Sequence, residues 1–184
     1  INNRAGVDSV LRARANECAP FENVYTLALR GLHDRAMNAS NDMADRKQML
    51  QDALMAQRKM LIDATGKRGE DIPQAFTPYK EVLDVYDEGL ELPDDVTIIW
   101  PDDNYGYMKR LSSPKEQKRS GRSGVYYHSS YLGKPHDHLW MNTTSPTLMY
   151  EELRKAYDMT ADRIWLLNAG GTAGRCLLIP SRNM

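Results

Sequence analysis

Little in this sequence marks a specialised chemistry by sheer quantity. Of its 184 residues only Cys18 and Cys176 are cysteine, and they stand far apart, which excludes a disulfide framework and a metal knuckle built on closely spaced thiols. Charge of neither sign is in excess: 24 Lys and Arg against 25 Asp and Glu leave a formal net charge of -1. Such a balance lays down no electrostatic footprint for a polyanion. The one basic run, Lys115 to Arg122, is short and broken by Glu116, so nucleic acid is not an expected partner. Long apolar runs are missing as well. None approaches the roughly 18 residues that span a bilayer, and no membrane partner is expected. Internal repeats and low-complexity linkers are absent. The sequence opens at Ile1 without an initiator Met or a signal pattern, which says nothing about compartment.

What is present is the composition of a folded domain with a sizeable core, 41% hydrophobic and 27% charged. Helix and strand patterns alternate. Val10 to Cys18 reads as helix, and Asn23 to Gly31 as a buried strand ending in Gly. From Ala44 to Ala64, Met49, Leu50, Leu54, Met60 and Leu61 form one stripe at helical spacing, with Gly66 as terminator. Gln74-Ala75-Phe76 reads as a short strand and Tyr79 to Gly89 as helix. Val96-Thr97-Ile98-Ile99-Trp100 is a β-branched run typical of a strand buried on both faces. Ser113-Pro114 signals a helix start. Gly124 to His128 is a strand, Pro146 to Tyr157 a helix, and Arg163 to Asn168 a strand.

Strands separated by helices imply parallel pairing. About five strands fall short of the eight in a closed barrel of about 250 residues, so the pattern predicts α/β architecture and a partial (β/α)₈ barrel. Residues 1–169 read as a fragment of such a barrel. Residues 170–184, beginning Gly170-Gly171-Thr172, read as an atypical tail of foreign or truncated sequence. An incomplete barrel leaves strand edges unpaired, and these invite homo-oligomerisation.

In parallel βα folds the functional groups gather at the carboxyl ends of the strands. Here the strand ends carry His33 and Asp34, then Asp102, Asp103 and Asn104, then His128, and finally Asn168. The loop Lys134 to Trp140 adds His136, Asp137 and His138. Each has a plain structural reading: Asp-Asp-Asn as a turn or helix cap, His-Asp-His as a solvated loop rather than a metal site. Tyr126-Tyr127 reads as one ring in the core and one at the surface. Trp100, Trp140 and Trp165 read as core before sugar platform, with Trp140, which sits in a loop, the best platform candidate of the three. The Met-rich stripe reads as core. Together they place acids, imidazoles, an amide and aromatics on one face, the set that glycoside hydrolysis uses.

Trp100-Pro101-Asp102-Asp103-Asn104-Tyr105-Gly106, followed by Arg110-Leu111, resembles a block of glycoside hydrolase family 115, the xylan α-1,2-glucuronidases. Ser120 to His128, with Tyr131 to Trp140, is similar to the next block. Gly31 to Asp34 with Ala36-Met37, and Ala161 to Asn168, extend the similarity over about residues 23–168. The resemblance implies removal of glucuronic acid or its 4-O-methyl ether from glucuronoxylan or its oligosaccharides, by an inverting mechanism with neither cofactor nor metal. It also implies secreted or periplasmic localisation.

Carried across, Asp102 is the catalytic carboxylate, with Asp103 and Asn104 placing it. Tyr127, His128, His136 and Asn168 contact the sugar, and His33 and Asp34 line its mouth. Lys134, Arg110 or a histidine would face the uronate. The sequence departs from the family where Gly170-Gly171 replaces an expected acid, and the second carboxylate is unassigned, with Glu151 or Glu152 as a weak candidate. The rival readings are a non-catalytic carbohydrate-binding fragment and, more distantly, a metal-dependent hydrolase using His128, His136, His138 and Asp137.

Overall fold

A computed structural model of the chain describes residues 3–31, 35–37, 42–131 and 144–169, and the backbone of 177–179. It divides into two compact units, Ile1–Phe76 with Lys80–Val96, and Thr77–Tyr79 with Thr97–Met184.

The first unit contains helix α1 (Arg4–Cys18), strand β1 (Tyr25–Leu27), helix α2 (Met43–Thr65), strand β2 (Gln74–Phe76) and helix α3 (Glu81–Asp87). Strand β1 pairs in parallel with β2, Tyr25 opposite Gln74 and Leu27 opposite Phe76. Helix α2 follows the sequence closely. The Asp42 side chain accepts from the Ala44 amide at 3.0 Å, satisfying a first-turn donor. At the other end Gly66 takes the left-handed conformation at φ 66° and returns its N–H to Ile62. The stripe on this helix is core as expected: Leu50, Leu54, Met60 and Leu61 are buried together with Leu27, Phe76, Val82, Val85 and Val96, and Met49 packs against them half-buried. An ion pair fixes the helix, Arg58 reaching Asp95 through two hydrogen bonds of 2.8 and 2.9 Å. A cavity of about 160 Å³ beside α1 is lined largely by apolar side chains, among them Leu11, Ala15, Leu27, Met60 and Leu61.

The second unit holds strands β3 (Thr97–Pro101), β4 (Ser123–Ser130) and β5 (Trp165–Ala169), helix α4 (Pro146–Asp158) and strand β6 (Leu177–Ile179). Strands β3, β4 and β5 pair in parallel order. All five residues of β3 are buried, as its continuous β-branched run implies. Strand β6 lies antiparallel on β5; the sequence pattern did not reveal it. Gly124 permits β4 and β5 to approach, since a Cβ there would stand 2.0 Å from the Ile164 carbonyl oxygen. The helix expected after Ser113-Pro114 is only a 3₁₀ turn, Glu116–Lys118. Glu116 is drawn back to the Ser113 amide and to Arg110, and the chain turns at Ser120-Gly121 before a second turn can form.

Trp100 is buried as expected, with its indole N–H donating to Ser112 at 2.9 Å. Ser112 donates to Ser123 at 2.9 Å and Ser123 to the Thr160 carbonyl at 3.3 Å. This buried polar chain ties β3 to the start of β4.

Candidate functional site

The side chains that converge in the second unit come from the ends of β3, β4 and β5. Asp102 follows Pro101 directly, and its backbone N–H extends the ladder by donating to the Tyr126 carbonyl at 3.0 Å. Its carboxylate accepts two backbone N–H groups and faces an imidazole nitrogen. The His128 amide donates to Oδ2 at 3.0 Å, the Asn104 amide to Oδ1 at 3.0 Å, and His128 Nδ1 lies 2.6 Å from Oδ1. An ionised carboxylate can only accept, so with Asp102 charged the imidazole proton sits on Nδ1. The two side chains are 0% and 2% exposed. Both are enclosed within the fold.

The loop after β3 is held from within. Asp103 Oδ1 accepts from the amides of Tyr105 at 3.0 Å and Tyr107 at 3.1 Å, which closes an Asx-type turn. Asn104 adopts the left-handed conformation at φ 72°, a region only short polar side chains enter readily. Asp103 and Asn104 thus hold the loop together from within, and Asn104 Oδ1 also accepts from the Tyr79 hydroxyl at 3.0 Å.

On β4 successive side chains alternate between faces. His128 and Tyr126 share one face with their rings 4.6 Å apart. Tyr131 meets His128 edge-on at 5.2 Å, and Tyr79 approaches Tyr126 edge-on at 6.3 Å. Asn168 stands opposite His128 in the β4–β5 ladder and donates from Nδ2 to the Tyr126 hydroxyl at 3.1 Å. The register shifts between His128 and Ser130, a bulge of the kind that re-aims side chains beside active sites. Asp102, His128, Tyr126, Asn168, Asn104 and Tyr79 therefore make one connected cluster.

Tyr127 takes the opposite face. It is 1% exposed, and its hydroxyl donates to the Gly106 carbonyl at 2.9 Å, beside Thr144 and Leu148 of α4. Burial, and then the negative charges of Asp102, Glu152 and Asp103, push its phenol up to about 12. The family resemblance implies Tyr127 at the sugar, while the strand pattern gives one ring of the pair to the core and one to the surface without saying which. The structure puts Tyr126 in the cluster, and the available signal was its two-residue spacing from His128. Tyr79 carried no such signal, because its partnership with Asn104 spans 25 positions.

Arg110 stacks over Trp100 at 4.4 Å and pairs with Glu116 at 2.8 Å. Glu152 is buried on α4, accepting the Met108 amide at 2.7 Å, and Glu151 is exposed. His33, Asp34, Lys134, His136, Asp137, His138 and Trp140 lie outside the described residues. Among the described residues no group of three His, Cys, Asp or Glu side chains could hold a metal ion.

Comparison with curated proteins gives no match. Among solved structures, the chain is similar to a family GH115 4-O-methyl-α-glucuronidase with specificity for decorated arabinogalactans. The identity is 44% and the TM-score 0.87, over 92% of this chain and 22% of that one. The chain thus spans about a fifth of the length of that relative. The fold class is α/β, part of a barrel, as the alternation of strands and helices implied. The model of glycosyl hydrolase family 115 matches residues 1–177, and it is to this family that the chain belongs.

Proposed function

We propose that the protein removes glucuronic acid or 4-O-methylglucuronic acid from glucuronoxylan, by inverting hydrolysis centred on Asp102. The observation that carries this reading is the cluster at the ends of β3, β4 and β5, where the hydrogen-bonded pair of Asp102 and His128 adjoins Tyr126, Asn168 and Asn104. Inversion asks for a second carboxylate about 6.5–9.5 Å away, across a water. In this reading that second group is supplied by residues beyond the cluster. Such hydrolysis needs no metal or cofactor, and a polysaccharide substrate favours work outside the cytoplasm.

Incubation of the intact protein with glucuronoxylan is expected to release 4-O-methylglucuronic acid, first as the β-anomer by proton NMR. Release is expected to vanish in Asp102→Ala and to persist with a chelator. Retained release in the variant, or first appearance of the α-anomer, would overturn the assignment.

A second substrate reading has its own support, because the relative that is 44% identical is specific for decorated arabinogalactans. Parallel assays on arabinogalactan and glucuronoxylan decide between the two backbones. A third reading, carbohydrate binding without turnover, predicts uronic acid binding without release. Self-association through strand edges belongs to the same proposal; light scattering reads it directly.

A further inference from the structure

The side chain at the centre of the cluster is Tyr126, which sequence reasoning did not assign to the site. It is half-buried, whereas the Asp102 and His128 side chains beneath it are almost wholly enclosed. Its ring rests against His128 at 4.6 Å, and its hydroxyl accepts from Asn168 at 3.1 Å. A second phenol–carboxamide pair, Tyr79 with Asn104, adjoins it through the edge-on contact of the two rings.

The chemistry of this half-buried layer is uniform. Phenols and carboxamides are uncharged, and each both donates and accepts hydrogen bonds. Sugar hydroxyls have the same dual character, while aromatic rings supply apolar area for the C–H face of a pyranose. A uronate carboxylate would call instead for a cation. The layer therefore suits the hydroxyl-bearing edge of a sugar ring rather than its carboxylate.

We propose that Tyr126 is a substrate-contacting residue of this site. It holds the Asn168 carboxamide in place and, with it, hydrogen-bonds ring hydroxyls of the bound uronosyl residue above the Asp102–His128 pair. The inference rests on the glucuronidase reading and adds to it a residue and a subsite of defined chemistry. Tyr127, one position away, has its hydroxyl on the Gly106 carbonyl and serves as the internal control.

The test uses the intact protein, Tyr126→Phe and Tyr127→Phe. Tyr126→Phe keeps the ring against His128 and deletes the hydroxyl with its bond from Asn168, so its melting temperature is expected within about 5 °C of wild type. Removing one neutral hydrogen bond to substrate is expected to raise KM for release from glucuronoxylan oligosaccharides about three- to tenfold, with kcat within about twofold. Calorimetric binding of free glucuronic acid is expected to weaken by a similar factor. Tyr127→Phe is expected to lower the melting temperature and leave KM and binding unchanged.

Wild-type KM and wild-type binding in Tyr126→Phe would overturn the inference while leaving the glucuronidase reading intact. A wild-type protein that binds glucuronic acid without releasing any would overturn the hydrolytic reading alone, and weaker binding by Tyr126→Phe would still support the subsite. Failure of the wild type to bind glucuronic acid or xylo-oligosaccharides would overturn both.

Discussion

Asp102 Oδ1 lies 2.6 Å from His128 Nδ1, and Asp102 Oδ2 accepts the backbone N–H of the same histidine at 3.0 Å. One residue of β4 thus grips both oxygens of the carboxylate that follows β3, while the Asn104 amide supplies a third bond. Such a carboxylate is fixed in position by the fold itself.

Removal of that carboxylate leaves buried donors without an acceptor, each costing roughly 1–3 kcal/mol. Asp102→Ala is therefore expected to lose roughly 3 kcal/mol or more of stability, and Asp102→Asn, which keeps one carbonyl oxygen, about half as much. Urea unfolding followed by circular dichroism measures both. Equal midpoints for wild type and Asp102→Ala would show that the bonds contribute nothing.

Gly106 closes the same loop at φ 93°. A Cβ there would meet Thr144 Cγ2 at 2.6 Å and the Tyr127 hydroxyl at 2.8 Å. Gly106→Ala combines left-handed strain with a double clash and is expected to cost roughly 1–3 kcal/mol. Thermal melts measure the loss, and a variant as stable as wild type would mean that the loop relaxes freely.

The buried chain Trp100, Ser112, Ser123 offers a third test. Ser112→Ala deprives the indole N–H of its acceptor, with an expected cost of roughly 1–3 kcal/mol. The urea midpoint is expected to fall with an unchanged m-value. A changed m-value would point to the denatured state instead.

Tyr127 gives a pH dependence with a defined direction. Its folded-state pKa is pushed up to about 12, from the ordinary value of 10.0. Below pH 10 the phenol is neutral whether the chain is folded or unfolded, and the contribution to stability is whole. Between 10 and 12 the unfolded chain gives up the proton first, so stability falls as pH rises through that window. Denaturant midpoints from pH 9 to 12 in wild type and Tyr127→Phe measure the difference. Parallel profiles would refute the assignment.

The elements most legible in the sequence are those in which local signals agree. Helix α2 has an apolar stripe, a capping Asp42 and a left-handed Gly66, and its bounds, Met43–Thr65, lie within one residue at each end of the stretch expected. The buried strand β3 and the Pro-initiated α4 were equally clear. Ser113-Pro114 was the exception. A capping hydroxyl and a proline there start only a 3₁₀ turn, because Glu116 bonds backward to Ser113 and Arg110 rather than continuing a helix.

Which residues share the site was less legible, because a strand end names candidates without saying which way each points. Tyr126 and Tyr127 are chemically the same and adjacent; only the pleat of β4 sends one to Asn168 and the other to Gly106. Tyr79 joins Asn104 across 25 positions, a distance over which sequence pattern carries no information.

By itself the sequence determined the α/β class, the strand ends that bear polar groups, and the family, through motifs such as Trp100 to Gly106 whose residues follow one another along the chain. Only the tertiary structure decided that Asp102 is gripped by His128 and that Tyr126 rather than Tyr127 stands beside them. Those contacts join separate strands, and their geometry is set by ladder register and side-chain alternation, which no single segment encodes.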